Sequence, residues 1–186
     1  MPFTKEFYET TWINGYAFAK LIIPALNDFC SIGSVLEMGC GAGGFLKFCT
    51  ENEKNIKGIE INEKALKSLV IPYESVFSLD ISKPLDIELF DVVVSLEVIE
   101  HIDSAYEDTV IDNIVNSSNK YIIFSGARVG QPGDGHINCR NQDYWIEKFT
   151  KRTGVYLMQG LSRLLRGNVD IPTYYRENTL IFEKIF

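Results

Sequence analysis

Short apolar runs alternate with amphipathic stretches along the chain, as expected for βαβ units around a parallel sheet. Val35–Met38, Ile56–Glu60 and a weaker run at Ser75–Leu79 read as the first strands. Phe90–Leu96 (FDVVVSL) is β-branched and apolar nearly throughout, as a central strand covered on both faces should be. Tyr121–Phe124, Val155–Leu157 and Thr179–Lys184 complete a set of seven. Helical spacing predicts helices over Gly15–Phe29, from Phe45 through Cys49, and from Asn62, a good N-cap, toward Val70. Pro72 has to end the last of these. A Ser104-x-x-Glu107 capping box opens a helix to Ser117, and two more helices follow at Gln142–Lys151 and Leu161–Leu165. The expected fold class is α/β: one doubly wound, mostly parallel seven-stranded sheet with helices on both faces and the last strand antiparallel.

Composition narrows this little. A length of 186 residues suits one domain of ordinary size. Acidic residues outnumber basic ones 25 to 18, a net charge of −7, which argues against nucleic-acid or anionic-membrane partners. Cys30, Cys40, Cys49 and Cys139 form no C-x-x-C pair and no zinc spacing, so reduced thiols are expected. No apolar run approaches the ~20 residues that span a bilayer, and no signal-peptide core is present at the N-terminus. The expectation is a cytoplasmic protein whose oligomeric state is open.

The glycine cluster GCGAGG (Gly39–Gly44) follows the first strand directly. Ligands of open α/β sheets bind beyond the carboxyl ends of the strands, and glycines there let the backbone approach them closely. Glu60, at the end of the second strand, is placed to accept both hydroxyls of a ribose. The loop satisfies G-x-G-x-x-G through Gly39, Gly41 and Gly44, a weak dinucleotide signal, and also E-x-G-x-G-x-G through Glu37, Gly39, Gly41 and Gly43. With VLEMGCGAGGFL, GIEIN, SLDI and FDVVVSLEVIEHI in order, the chain resembles the class I S-adenosylmethionine-dependent methyltransferases over residues 34–126.

That resemblance implies a Rossmann-like fold and S-adenosyl-L-methionine as cofactor. It implies that Gly39, Gly41 and Gly43 line the methionine part, and that Glu37 reaches its ammonium group. Glu60, with Ile61 beside it, would bind the ribose. Asp80 and Ile81 would meet the adenine, and the backbone at Ser95 and Leu96 would face the sulfonium. The chain then divides into an N-terminal helical cap (1–33), a cofactor-binding core (34–126) and a substrate-side loop with C-terminal strands (127–186).

Methyl transfer from a sulfonium is an in-line displacement, so the protein mainly aligns the acceptor and removes one proton. His101 and His136 are the two histidines, each just past a central strand. An ordinary imidazole, with a pKa near 6.5, suits proton removal. His136 is the candidate base, or else fixes its loop by a hydrogen bond. His101 is the second candidate, or else a partly buried histidine bonded to backbone. Arg128 and Arg140 in the long loop are candidates for an anionic group of a small-molecule acceptor, such as a phosphate or carboxylate, or else solvated surface. Asp134 is a further candidate contact. The stretch GQPGDGHINCRNQDYWIEKF resembles small bacterial methyltransferases that act on sugars or other small metabolites. Tyr8 and Trp12 are candidates for a lid, although helix packing accounts for them equally well. Glu97, Glu100, His101, Asp134 and His136 offer a metal alternative, but no close pairing enforces it, and the expectation is no metal. Nicotinamide oxidoreduction and binding without turnover are the competing functions. The first leaves little chain for a substrate domain and does not account for FDVVVSLEVIEHI.

Overall fold

The computed structural model describes residues 4–185. They fall into two compact units, divided after Asp80.

In the first unit, α1 (Lys5–Asn27) is capped by Thr4, whose hydroxyl accepts from the Phe7 amide at 3.2 Å. The helix starts ten residues earlier than its apolar spacing suggests. It carries Pro24 in its last turn, losing one ladder bond rather than breaking. Strand β1 (Ser34–Met38) leads through the glycine cluster into α2 (Gly44–Glu51). Strand β2 (Asn55–Ile59) is followed by α3 (Glu63–Leu66) and β3 (Val76–Phe77). Asn62 is the expected N-cap of α3, with its side chain accepting from the Lys64 amide. This helix is only four residues long, short of the reach to Val70 that the sequence suggests. The three strands pair parallel in the order β3-β2-β1.

Two glycines set how closely α1 and α2 approach. A Cβ on Gly44 would lie 1.9 Å from the Trp12 carbonyl oxygen, and one on Gly15 would lie 3.1 Å from the Phe45 amide nitrogen. Phe18, Ile22, Ile23, Leu26, Phe45 and Leu46 are fully buried there.

In the second unit, β4 (Phe90–Leu96) keeps the bounds read from the sequence. A 3₁₀ turn, Ile99–His101, follows it. Then come α4 (Glu107–Ser117), β5 (Ser118–Ser125), α5 (Gln142–Thr150), β6 (Val155–Leu157), α6 (Gln159–Arg166), α7 (Thr173–Asn178) and β7 (Leu180–Lys184). β4 and β5 are parallel, and β7 runs antiparallel to β5 on one side and β6 on the other. The reversed last strand is as expected.

The Ser104–Glu107 capping box does not form. Asp103 caps a 3₁₀ turn at Ser104–Tyr106, accepting from the Ala105 amide at 2.9 Å. Glu107 is instead drawn into the protein by Tyr144, Lys148 and Asn138. Partners distant in sequence displace the local cap here. Helix α7 was not expected, because TYYREN has no apolar stripe. All four cysteines are free thiols. No helix among the described residues is long and apolar enough to cross a membrane.

Candidate functional site

In the first unit, the chain after β1 turns through Gly39, Gly41 and Gly43 at φ +79°, +55° and +83°. That left-handed region penalises a Cβ, so glycine is favoured there. The amides of Gly39 and Cys40 donate to the Ile59 carbonyl at 2.8 and 3.0 Å, which hangs the loop on the end of β2. Glu60 is the clasp. Its Oε2 accepts from the Gly41 amide at 2.8 Å, and its Oε1 accepts from the amides of Ile61 and Asn62 at 2.9 and 2.8 Å. The Tyr8 ring packs over Gly41, and Tyr8, Ala42 and Ala65 form a small apolar cluster with Trp12 against it. The Ile61 side chain is exposed, and Asp80 stands half-buried at the end of the unit.

Glu37 is buried beneath this loop, and its Oε2 reaches no hydrogen-bond partner. Burial, then the charge of Glu60, pushes its carboxyl well above the ordinary range. A buried acceptor without a donor is costly, so the pocket is built for a cationic or proton-bearing group. A raised carboxyl pKa contributes stability below the unfolded value, near 4.3, and loses it as pH rises toward the folded value. Glu37→Gln is neutral at every pH. Relative to wild type, its stability should match at pH 4 and then gain up to about 1.4 kcal/mol per pH unit through that window. Thermal unfolding from pH 4 to 8 measures this, and a difference that stays flat would sink it.

The second unit brings the two histidines together. His101 Nδ1 lies 3.1 Å from the Gly135 carbonyl oxygen, and His136 Nδ1 lies 3.2 Å from that of Gln131. A carbonyl only accepts, so each Nδ1 bears the proton and each lone pair sits on Nε2. The rings are 5.1 Å apart, nearly edge to face. His136 Nε2 is 4.0 Å from Glu100 Oε1. The amides of Ile137 and Asn138 donate to the Glu100 carbonyl and fasten the loop there. Burial, opposed by the Gly135 carbonyl, lowers the His101 pKa, and His136 adds to the fall. Burial, then Glu97, pushes Glu100 up to about 8.

Glu97, just past β4, holds φ +53°. Its carboxylate accepts from Gln131 Nε2 at 2.9 Å and from Asn178 Nδ2 at 3.0 Å, and its amide donates to Ser125 Oγ. Arg128 donates to Asn178 and pairs with Glu177. Arg140 lies over the Tyr144 ring, and Asp134 is exposed in the loop turn. Ser95 and Leu96 are buried at the end of β4, and Ile81 is buried with its carbonyl accepting from Asn113. Gln131, Asn178 and Asn113 escaped the sequence reading. Their partners lie 28 to 81 residues away, and no spacing rule reaches that far.

A family model described as a methyltransferase domain matches residues 12–117, more than half of the chain. The chain belongs to the methyltransferase domain family. The S-adenosylmethionine-dependent class implied by the sequence resemblance stands with it. Comparison with curated proteins returned no match. Among solved structures, the sugar N-methyltransferase KedS8 from Streptoalloteichus sp. is 12% identical, with a TM-score of 0.73 over 100% of this chain and 94% of its own. The plantazolicin methyltransferase BpumL, solved with SAH, is 15% identical, with a TM-score of 0.66 over 95% and 86%. Magnesium protoporphyrin IX methyltransferase from Synechocystis, also with SAH, is 14% identical, with a TM-score of 0.66 over 92% and 84%. At these identities the likeness is one of fold: the Rossmann-like methyltransferase sheet with antiparallel last strands.

Proposed function

We propose that this methyltransferase modifies a small molecule, with S-adenosylmethionine held in the first unit by Glu37, Gly39, Gly41, Gly43 and Glu60. The observation that supports this most is the buried, unpartnered Glu37 Oε2 beneath a loop of left-handed glycines. An ammonium group would satisfy that oxygen. Glu60 spends three acceptor sites on amides, and a carboxylate has about four, so one remains for a ribose hydroxyl. Ile61 and Asp80 belong to the same reading as ribose- and adenine-side contacts, and the sequence resemblance offers Ile81, Ser95 and Leu96 as further cofactor contacts. When bound, the cofactor supplies an activated methyl group that needs no further activation by the protein.

The acceptor belongs to the second unit in this reading. Its proton goes to His136, whose Nδ1–H is fixed by Gln131 and whose lone pair is on Nε2. Arg128, Asp134 and Arg140 are the polar groups of the same loop. A small acceptor is favoured by the net charge of −7, which suits neither nucleic acid nor an anionic membrane. The fold neighbours named for a sugar, for plantazolicin and for magnesium protoporphyrin IX lend support to that class.

Calorimetry tests the reading. S-adenosylmethionine or its demethylated product should bind in the micromolar range, about 7–8 kcal/mol, and NADH should not bind. His136→Ala should keep that binding and lower turnover by roughly a hundredfold in an acceptor screen. NADH binding with no response to either sulfur compound would overturn the assignment.

A further inference from the structure

A lone histidine base needs no convergence with other donors, yet one ligand-type atom from each of Glu100, His101 and His136 lies within 4.8 Å of the other two. We propose that these three residues form a binding site for a divalent transition-metal ion of the zinc class. Two imidazoles and one carboxylate are a donor set that such ions take, and it leaves positions open for water or an acceptor oxygen.

Glu100 is the strongest support. Its side chain is 1% exposed. Both carboxylate oxygens are buried, and neither reaches a hydrogen-bond partner. Among the described residues no lysine or arginine pairs with it, and the neighbouring Glu97 has the same sign of charge. Two buried carboxyl oxygens without a partner are costly, and a cation bound between Glu100 and the two imidazoles would satisfy them.

The surroundings of the imidazoles agree. Metal-ligating histidines generally donate the other ring N–H to a carbonyl or carboxylate, which fixes the tautomer and the ring direction. Here both Nδ1 atoms lie against backbone carbonyls, those of Gly135 and Gln131. The loop is pressed onto the site: a Cβ on Gly133 would stand 2.1 Å from His136 Nε2. Position 133 therefore has room for the imidazole only because it is glycine. The separation is also workable. His136 Nε2 and Glu100 Oε1 stand 4.0 Å apart, and ligands about 2.1 Å from a tetrahedral ion stand roughly 3.4 Å apart.

The site stands on the geometry of the second unit; only its use rests on the proposed methyltransferase function. A hydroxyl of the acceptor, bound at an open position, would release its proton to solvent at lower pH than in water. In that state His136 serves as a ligand and not as the base.

The test uses the metal alone. The full chain, stripped with a chelator, is titrated with Co²⁺ and followed by its visible d–d bands, with Zn²⁺ calorimetry in parallel. One ion per chain should bind in the micromolar range or tighter, without a thiolate charge-transfer band. Glu100→Gln, a neutral isostere that keeps the buried shape, should weaken binding at least tenfold, as should His101→Ala and His136→Ala. Asp134→Ala, which alters an exposed neighbouring carboxylate, should not. Each variant is checked for a native melting transition. If Co²⁺ fails to bind, or binds Glu100→Gln as tightly as wild type, the site does not exist. Cofactor calorimetry on the same samples separates the two proposals. Retained S-adenosylmethionine binding without metal binding discards the ion and keeps the proposed function, and the reverse result does the opposite.

Discussion

Gly44→Ala should lower the stability of the protein by about 3 kcal/mol or more, toward the severe end of overpacking. The added methyl group would lie 1.9 Å from the Trp12 carbonyl oxygen and 2.7 Å from its carbon. These are backbone atoms of α1, so no rotamer change relieves the clash. The helix has to move, and with it Phe18, Ile22, Ile23 and Leu26, which are essentially inaccessible to solvent. For a chain of this size, a loss of 3 kcal/mol lowers the melting temperature by roughly 6–12 °C. Gly41→Ala is the contrast. Its methyl group would meet only the Tyr8 ring, at 3.6 Å, although φ +55° adds strain of about 1 kcal/mol. If the two variants melt together near wild type, the packing account of Gly44 is wrong.

This pair shows what the glycine cluster hides from sequence reading. Gly39, Gly41, Gly43 and Gly44 all fit nucleotide-loop templates. Three have left-handed backbone, whereas Gly44 begins α2 and is needed because α1 runs against it. A template cannot separate conformational need from close approach, since both select the same residue.

The sheet was legible because strand burial is written locally. β4 and β6 fall on the bounds read from their apolar runs. Helix ends were less legible. The aromatic residues near the N-terminus suited a lid or a helix equally, and the Thr4 cap decides for the helix as far as their backbone is concerned. Glu107 kept the spacing of a capping box, but Lys148 and Tyr144, 41 and 37 positions on, hold it instead. The two histidines were legible as candidates from their rarity. Their convergence with Glu100 was not, because it depends on a loop fastened by main-chain bonds from Ile137 and Asn138. Main-chain bonds leave no mark on residue identity.

Glu60→Ala should show two losses that a simple ligand contact would not. The carboxylate accepts from three amides, those of Gly41, Ile61 and Asn62, at 2.8–2.9 Å. Charged hydrogen bonds of this kind contribute about 1.5–3 kcal/mol each, and amides abandoned in a buried place cost more than exposed ones. Water can reach this strand end in part, so a net stability loss of about 2–4 kcal/mol is expected. Placement at the end of a strand alone suggests a fold that survives unchanged; the three amides argue against that. The second loss is affinity for S-adenosylmethionine, about 2–3 kcal/mol or roughly 30- to 150-fold, if Glu60 also takes a ribose hydroxyl. Glu60→Gln should rescue neither fully. Its amide oxygen can serve one side of the clasp, but its NH₂ then faces an amide N–H on the other. Melting curves and cofactor calorimetry on both variants separate the roles. A stability loss with unchanged affinity would leave Glu60 as the clasp of the glycine loop only. An affinity loss at unchanged melting temperature would mean that the three amides find water without penalty, and that the acid serves the ligand first.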